Sequence, residues 1–296
     1  MNRGRLPALI GLLGAEAQII AHGPIDLACT NDPALAGDLC RDFVGKLPVW
    51  LDLETWPEFS PRRILTNRRI SQGLANADLV TVPTRGLWEE VRQRNPRVYI
   101  LTDPVIIQSD EKQDVLELLD PAIGFFDSTE SNLDPQIIIE IALANRPWQI
   151  YIAGSVALNP ALQEADRRVP NLHLLPEEGT GILSRFKVAV FPYSISRTKT
   201  YWLPQAVLQA WAVNTPTVCS PLPELNNHPD LTLFATMATG FTARIQEILA
   251  HPDQTAMQTA KAAAFIADEH SPQVCRKVLG EVLGPYLAAD DATKSL

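Results

Sequence analysis

The chain has 296 residues, with 25 Lys plus Arg against 34 Asp plus Glu and a formal net charge of −9. At about 150 residues per domain, that length predicts two domains, each able to bury a core. Hydrophobic residues make up 46% and charged residues 20%, which excludes disordered, collagen-like and coiled-coil chains, and the acidic balance argues against nucleic acid as a partner.

In chain order, Met1 to Arg5 is basic and Leu6 to Ala15 apolar. That run is shorter than the roughly 20 residues of a membrane span. Glu16 and Gln18 stand where a secretory cleavage site would need small residues, so the segment reads as an amphipathic first helix. Strands are then predicted at Ile25 to Thr30, Leu47 to Asp52, Asp78 to Pro83 and Arg97 to Leu101, with helices at Pro33 to Val44, Arg62 to Ala77 and around Trp88 to Gln93. Leu79-Val80-Thr81-Val82 is apolar without alternation, the pattern of a strand buried on both faces of a parallel sheet. The acidic segment Asp110 to Asp114 reads as a solvated linker. A second βα series follows, with strands at Ala122 to Phe126, Trp148 to Ala153, Leu172 to Leu175, Val188 to Phe191 and Thr217 to Cys219. Helices are expected at Pro135 to Ala144, Gln205 to Ala212, Thr242 to Ala250, Gln254 to Asp268 and Pro272 to Leu287. The pattern predicts an α/β protein of two Rossmann-like domains facing a cleft, spanning 1–110 and 121–288, with ligands at the carboxyl ends of strands.

Cys29, Cys40, Cys219 and Cys275 are too scattered for a zinc site or a disulfide framework, and read as thiols in a reducing cytoplasm. No phosphate loop, dinucleotide fingerprint or nucleophile elbow follows any predicted strand, so P-loop ATPase, nicotinamide dehydrogenase and serine hydrolase lose their main support. The segment Phe191 to Thr200 follows a buried strand, carries Ser194, Ser196, Arg197 and Lys199, and leads to Pro204 at a helix start. Hydroxyls, cations and free helix N–H groups together suit a pyrophosphate; a solvated loop is the plainer reading. Asp52 and Glu54 near Trp50 and Trp56 could hold a sugar, with packing the stronger alternative. His173 reads as a core histidine. Arg62, Arg63, Arg68 and Arg69 could meet a phosphate or an anionic lipid, or form a solvated face.

The ordered strings Ile123-Gly124-Phe125-Phe126, Trp148 to Gly154, Val169 to Leu175, Val188 to Tyr193 and Pro216 to Glu224 resemble the nucleotide-sugar-binding half of retaining GT-B glycosyltransferases of group 1, over roughly Pro121 to Leu287. The N-terminal half is similar more loosely, through Ile25-Asp26-Leu27, Pro48 to Asp52 and Ala77 to Thr84. The resemblance implies transfer of a hexosyl group from a nucleotide sugar to an acceptor it does not name, without a bound metal or other cofactor. It implies Arg197 and Lys199 as catalytic cations beside the diphosphate. Gly124, Tyr193, Ser194, Ser196, Gln209 and Asn214 would hold the donor, with Gln209 and Asn214 near its ribose. A shortened acceptor-side domain is also expected.

Several positions depart from that pattern. Gln209 stands where Glu is expected, Ala206 where Lys is often seen, Asn214 where Gly is usual, Asp127 where Gly usually ends the first strand, and Thr102-Asp103-Pro104 at the hinge. A carboxamide still hydrogen-bonds hydroxyls, but alanine cannot bind phosphate and a carboxylate repels it. These departures keep open a second reading, a non-catalytic GT-B-like scaffold that binds a sugar or a protein partner.

Overall fold

Runs such as Val49-Trp50-Leu51-Asp52 and Ala122 to Asp127 are buried along their whole length. A strand with no solvated face must be covered on both sides, which parallel pairing with helical crossovers provides. The computed structural model describes residues 27–42, 48–54, 56–57, 63–107, 118–127, 133–175, 179–194 and 201–287. The expected first helix, the acidic segment from Asp110 to Asp114, and Ser196, Arg197 and Lys199 lie outside the described residues.

The first sheet holds β1 (Ala28–Thr30), β2 (Val49–Asp52), β3 (Leu79–Val82) and β4 (Val98–Ile100), all parallel, in the order β1-β2-β3-β4. Between them run α1 (Pro33–Asp42), α2 (Ile64–Asn76) and α3 (Arg85–Arg92). α1 and α2 touch through glycines. A Cβ on Gly73 would lie 1.9 Å from the Pro33 carbonyl oxygen, and one on Gly37 2.2 Å from that of Arg69. Asp32 opens α1, its Oδ1 accepting from the Ala34 amide at 2.8 Å.

The second sheet holds β5 (Ala122–Asp127), β6 (Gln149–Gly154), β7 (Leu172–Leu175), β8 (Val188–Phe191), β9 (Thr217–Cys219) and β10 (Leu233–Phe234), again parallel, in the order β10-β9-β8-β5-β6-β7. Its helices are α4 (Pro135–Ala144), α5 (Pro160–Asp166), α6 (Gln205–Ala212), α7 (Ala238–Ala250) and α8 (Pro252–Phe265). Phe125, Phe126, Ile150, Ile152, Val190 and Trp211 lie in its core. The last helix, α9 (Pro272–Leu287), belongs elsewhere: Leu279 and Leu283 pack on Leu27, Trp50, Leu79 and Leu101 of the first sheet. The Tyr286 hydroxyl donates to the Asp78 carbonyl at 2.8 Å, at the start of β3.

The described residues up to Pro104, together with those from Glu269, thus form one unit, and Val105 to Asp268 the other. Where the chain leaves and re-enters the first unit, the strands of backbone are tied. Thr102 donates its hydroxyl to the Glu269 carbonyl, and His270 Nδ1 lies 2.9 Å from the Asp103 carbonyl oxygen. Predicted and observed elements agree within a few residues at most ends. The sequence pattern missed β10, only two residues long, and α5, a seven-residue helix opened by Asn159 and Pro160.

Candidate functional site

Strand order decides where a ligand can enter each sheet. In the first, each described strand adds beside its predecessor, so no gap opens between successive crossovers. In the second, β6 and β7 extend to one side of β5, after which the chain returns to place β8 on its other side. The crossovers diverge at that point and leave a crevice outside the carboxyl ends of β5 and β8. The side chains there are those of Asp127, which ends β5, and of Tyr193 and Ser194, which follow β8.

Asp127 is 4% exposed. Its carbonyl accepts from Ser155 Oγ at 3.0 Å, and the turn can approach so closely because Gly154 adopts φ 77, where a Cβ would sit 2.4 Å from that same oxygen. Tyr193 is 3% exposed and bridges Leu133, while its ring stacks on Phe191 and meets Trp202 edge-on at 4.9 Å. Burial, then the nearby Asp127 carboxylate and Cys219, push the Tyr193 phenol well above its usual range, so it stays a protonated donor. Its Oη has no hydrogen-bond partner among the described residues. Cys219, raised to about 12 by burial, is a neutral thiol that accepts from Thr232 at 3.3 Å.

α6 begins at the same end of the sheet. Pro204 occupies its N-cap without a side-chain cap, and its carbonyl accepts from the Val207 N–H at 3.1 Å. Gln205 and Gln209 are four residues apart and share one face. Gln209 is 7% exposed, one turn in from the helix start, and its Oε1 has no hydrogen-bond partner among the described residues. Ala206, 4% exposed, adds no charge.

The structure therefore brings Tyr193, Ser194 and Gln209 to the end of the sheet from which ligands enter, together with Asp127. Gly124 lies three residues earlier, mid-strand, where a Cβ would be 1.8 Å from the Phe186 ring; its bareness makes room for that ring. Asn214 is at the other end of α6. It adopts φ 58 and closes the helix with its own N–H to the Trp211 carbonyl at 3.1 Å and the Thr215 N–H to the Ala210 carbonyl at 2.9 Å, a Schellman ending that glycine usually supplies.

Trp50, Asp52 and Trp56 of the first unit, and His173 of the second, are accounted for by packing. Trp50 and Asp52 are fully buried; Trp50 Nε1 donates to Thr81 Oγ1 at 2.8 Å, and Thr81 in turn donates to Asp52. Trp56 lies under the Arg94 guanidinium at 4.8 Å. His173 Nε2 is 2.8 Å from Gln149 Oε1, a satisfied histidine. Among the described residues no cluster of His, Cys, Asp and Glu has the arrangement of a metal site. No described helix is long and apolar enough to cross a membrane.

Two parallel α/β units, the second with its switch point at the central strands, define the class: the chain has the GT-B fold of glycosyltransferases. HepE from Anabaena, solved in complex with UDP, superposes with a TM-score of 0.71 at 13% identity over 93% of this chain and 82% of that one. A glycosyltransferase from Rickettsia africae gives 0.64 at 10% identity over 96% and 83%. The α,α-trehalose 6-phosphate synthase of Burkholderia multivorans gives 0.63 at 13% over 98% and 78%. No protein-family model matches the chain, and no curated protein matches it in sequence. Identities this low carry the fold, and function must be argued from the site.

Proposed function

We propose that the chain is a nucleotide-sugar-dependent glycosyltransferase of the hexosyl-transferring type, with the donor bound at the carboxyl ends of β5 and β8. One observation carries this reading: a buried donor, Tyr193 Oη, and a buried acceptor, Gln209 Oε1, both lack partners at the switch point beside an uncapped helix start. A buried polar group left unpaired costs about 1–3 kcal/mol, so a site holding two is organised for something that pairs them. A nucleotide sugar does so: a ribose hydroxyl donates to Gln209, a phosphate or sugar oxygen accepts from Tyr193, and the diphosphate meets the α6 N–H groups. HepE, solved with UDP and with UDP-glucose, supports the same ligand class.

In the reaction, the bond from the sugar's anomeric carbon to the diphosphate oxygen breaks and a bond to the acceptor oxygen forms. The acceptor releases its proton, and negative charge collects on the leaving diphosphate. Arg197 and Lys199 would neutralise that charge, and Ser194 and Ser196 would donate to the phosphates, so no metal need do so. Gly124 seats the strand beneath the site, and Asn214 sets the helix that carries Gln209. The acceptor is left open. All four cysteines are free thiols, which fits the cytoplasm.

A second reading has its own observations. Asp127 places a carboxylate where a diphosphate would approach, and Ala206 offers no cation, which favours a GT-B scaffold that binds without turnover. The test is a melting-temperature screen with UDP, GDP, ADP and their sugars, followed by donor turnover. Stabilisation by one nucleotide, with turnover that falls about 10²–10³-fold in Arg197→Ala, is the result expected of the enzyme. Stabilisation without turnover supports the scaffold, and no stabilisation of the folded chain by any nucleotide overturns the donor site.

A further inference from the structure

The four arginines around α2 are not absorbed by the site above. From Ser60 to Ala77 the sequence holds Arg62, Arg63, Arg68 and Arg69 and not one Asp or Glu, in a chain whose net charge is −9. α2 turns Ile70, Gly73 and Leu74 inward. Its first two turns present Arg63, Ile64, Leu65 and Arg68 outward, with Ile64 76% and Leu65 78% exposed. Arg69 is engaged by Asp38 of α1, whereas Arg63 and Arg68 enter no ion pair among the described residues.

Nothing in the helix's own stability calls for this arrangement. Arg63 stands at the N-cap without a side-chain cap, and the first turn has no acid. Cations at that end work against the helix dipole, and large aliphatic side chains three-quarters in water gain nothing from the fold. An aliphatic pair flanked by arginines, in a stretch of sequence without acids, matches an anionic lipid surface: the side chains enter the headgroup boundary while the guanidinium groups pair with phosphates. A second copy of the chain fits poorly, because a two-fold contact would set arginines against arginines.

We infer that the outer side of α2 docks the first unit onto an anionic membrane surface, as a peripheral contact and not a span. The inference is independent of the nucleotide-sugar reading. The test is flotation of the full chain with vesicles of equal parts phosphatidylcholine and phosphatidylglycerol, against vesicles of phosphatidylcholine alone, at low and high salt. The expected result is retention on the anionic vesicles alone, released by salt. Each of Arg63→Gln and Arg68→Gln should weaken partitioning about fivefold, and Ile64→Ser with Leu65→Ser should abolish it at unchanged melting temperature. The salt and lipid dependence of the unmodified chain decides the matter even if a variant folds poorly. Equal binding to both vesicles, or none to either, overturns the inference. Capture by polyglutamate without vesicle retention also overturns it, and assigns the patch to an acidic protein instead.

Discussion

Tyr193 and Gln209 separate ligand binding from stability at the level of single atoms. Gln209→Met keeps the side chain's length and removes an unpartnered buried oxygen, so the ligand-free protein should melt at the same temperature or higher. Nucleotide affinity should fall about tenfold, the loss of one hydrogen bond, as read by titration calorimetry. An equal loss of affinity and of ligand-free stability would mean that the amide serves packing instead. His270 makes a second residue-scale case. It is 2% exposed, and burial lowers its pKa from the ordinary 6.5, against the opposing pull of its bond to Asp103 and of the charges of Asp103 and Glu269. The folded state thus resists protonating a ring that the unfolded chain protonates freely, so its contribution is intact above pH 6.5 and is lost as pH falls below that value. Melting curves taken on either side of that value should show the decline, and His270→Gln should flatten part of it. Gln209 was legible in the sequence only through the family resemblance. Its isolation from partners is a tertiary fact, as is the burial of Asp52 behind Trp50 and Thr81, which turns a plausible sugar-binding carboxylate into a packed one.

At the scale of elements, bare apolar runs identified the strands, because a strand buried on both faces leaves no other pattern. β10 escaped because two residues carry no period, and α5 because seven residues barely complete two turns. Glycines show where local propensity yields to packing. Gly73 sits inside α2, where alanine would gain about 1 kcal/mol of helix propensity, yet its Cβ would overlap the Pro33 carbonyl at 1.9 Å. Gly73→Ala should therefore destabilise by about 1–3 kcal/mol in denaturant titration, because α1 and α2 must separate. Asn214 runs the other way. With φ 58 and an exposed side chain, Asn214→Gly should be neutral or raise stability by up to about 1 kcal/mol, whereas a β-branched residue there should lose at least as much.

At the scale of the whole molecule, two sheets could be read from alternating strands and helices, but the path of the chain between them could not. α9 follows directly on the helices of the second unit and has an ordinary apolar period, so nothing local marks it as the cover of the first sheet. What assigns it there is complementarity with partners more than 170 residues earlier: Leu279 and Leu283, both fully buried, meet Trp50 and Leu79. The described strands of the first sheet have no other helix in that apolar cluster, which makes the first unit dependent on the end of the chain. Leu279→Ala should cost about 2–5 kcal/mol, the range for an aliphatic side chain removed from a packed core. The loss should appear as faster amide hydrogen exchange in β2 and β3, with β5 and β8 unchanged, since among the described residues those strands belong to a separate apolar cluster. Equal acceleration in both sheets would mean that the two units unfold as one. Exchange confined to α9 would mean that the first sheet holds its core without it. Nucleotide added to the same variant should leave β2 and β3 exchanging fast while slowing β5 and β8, because the proposed site is built wholly from the second unit.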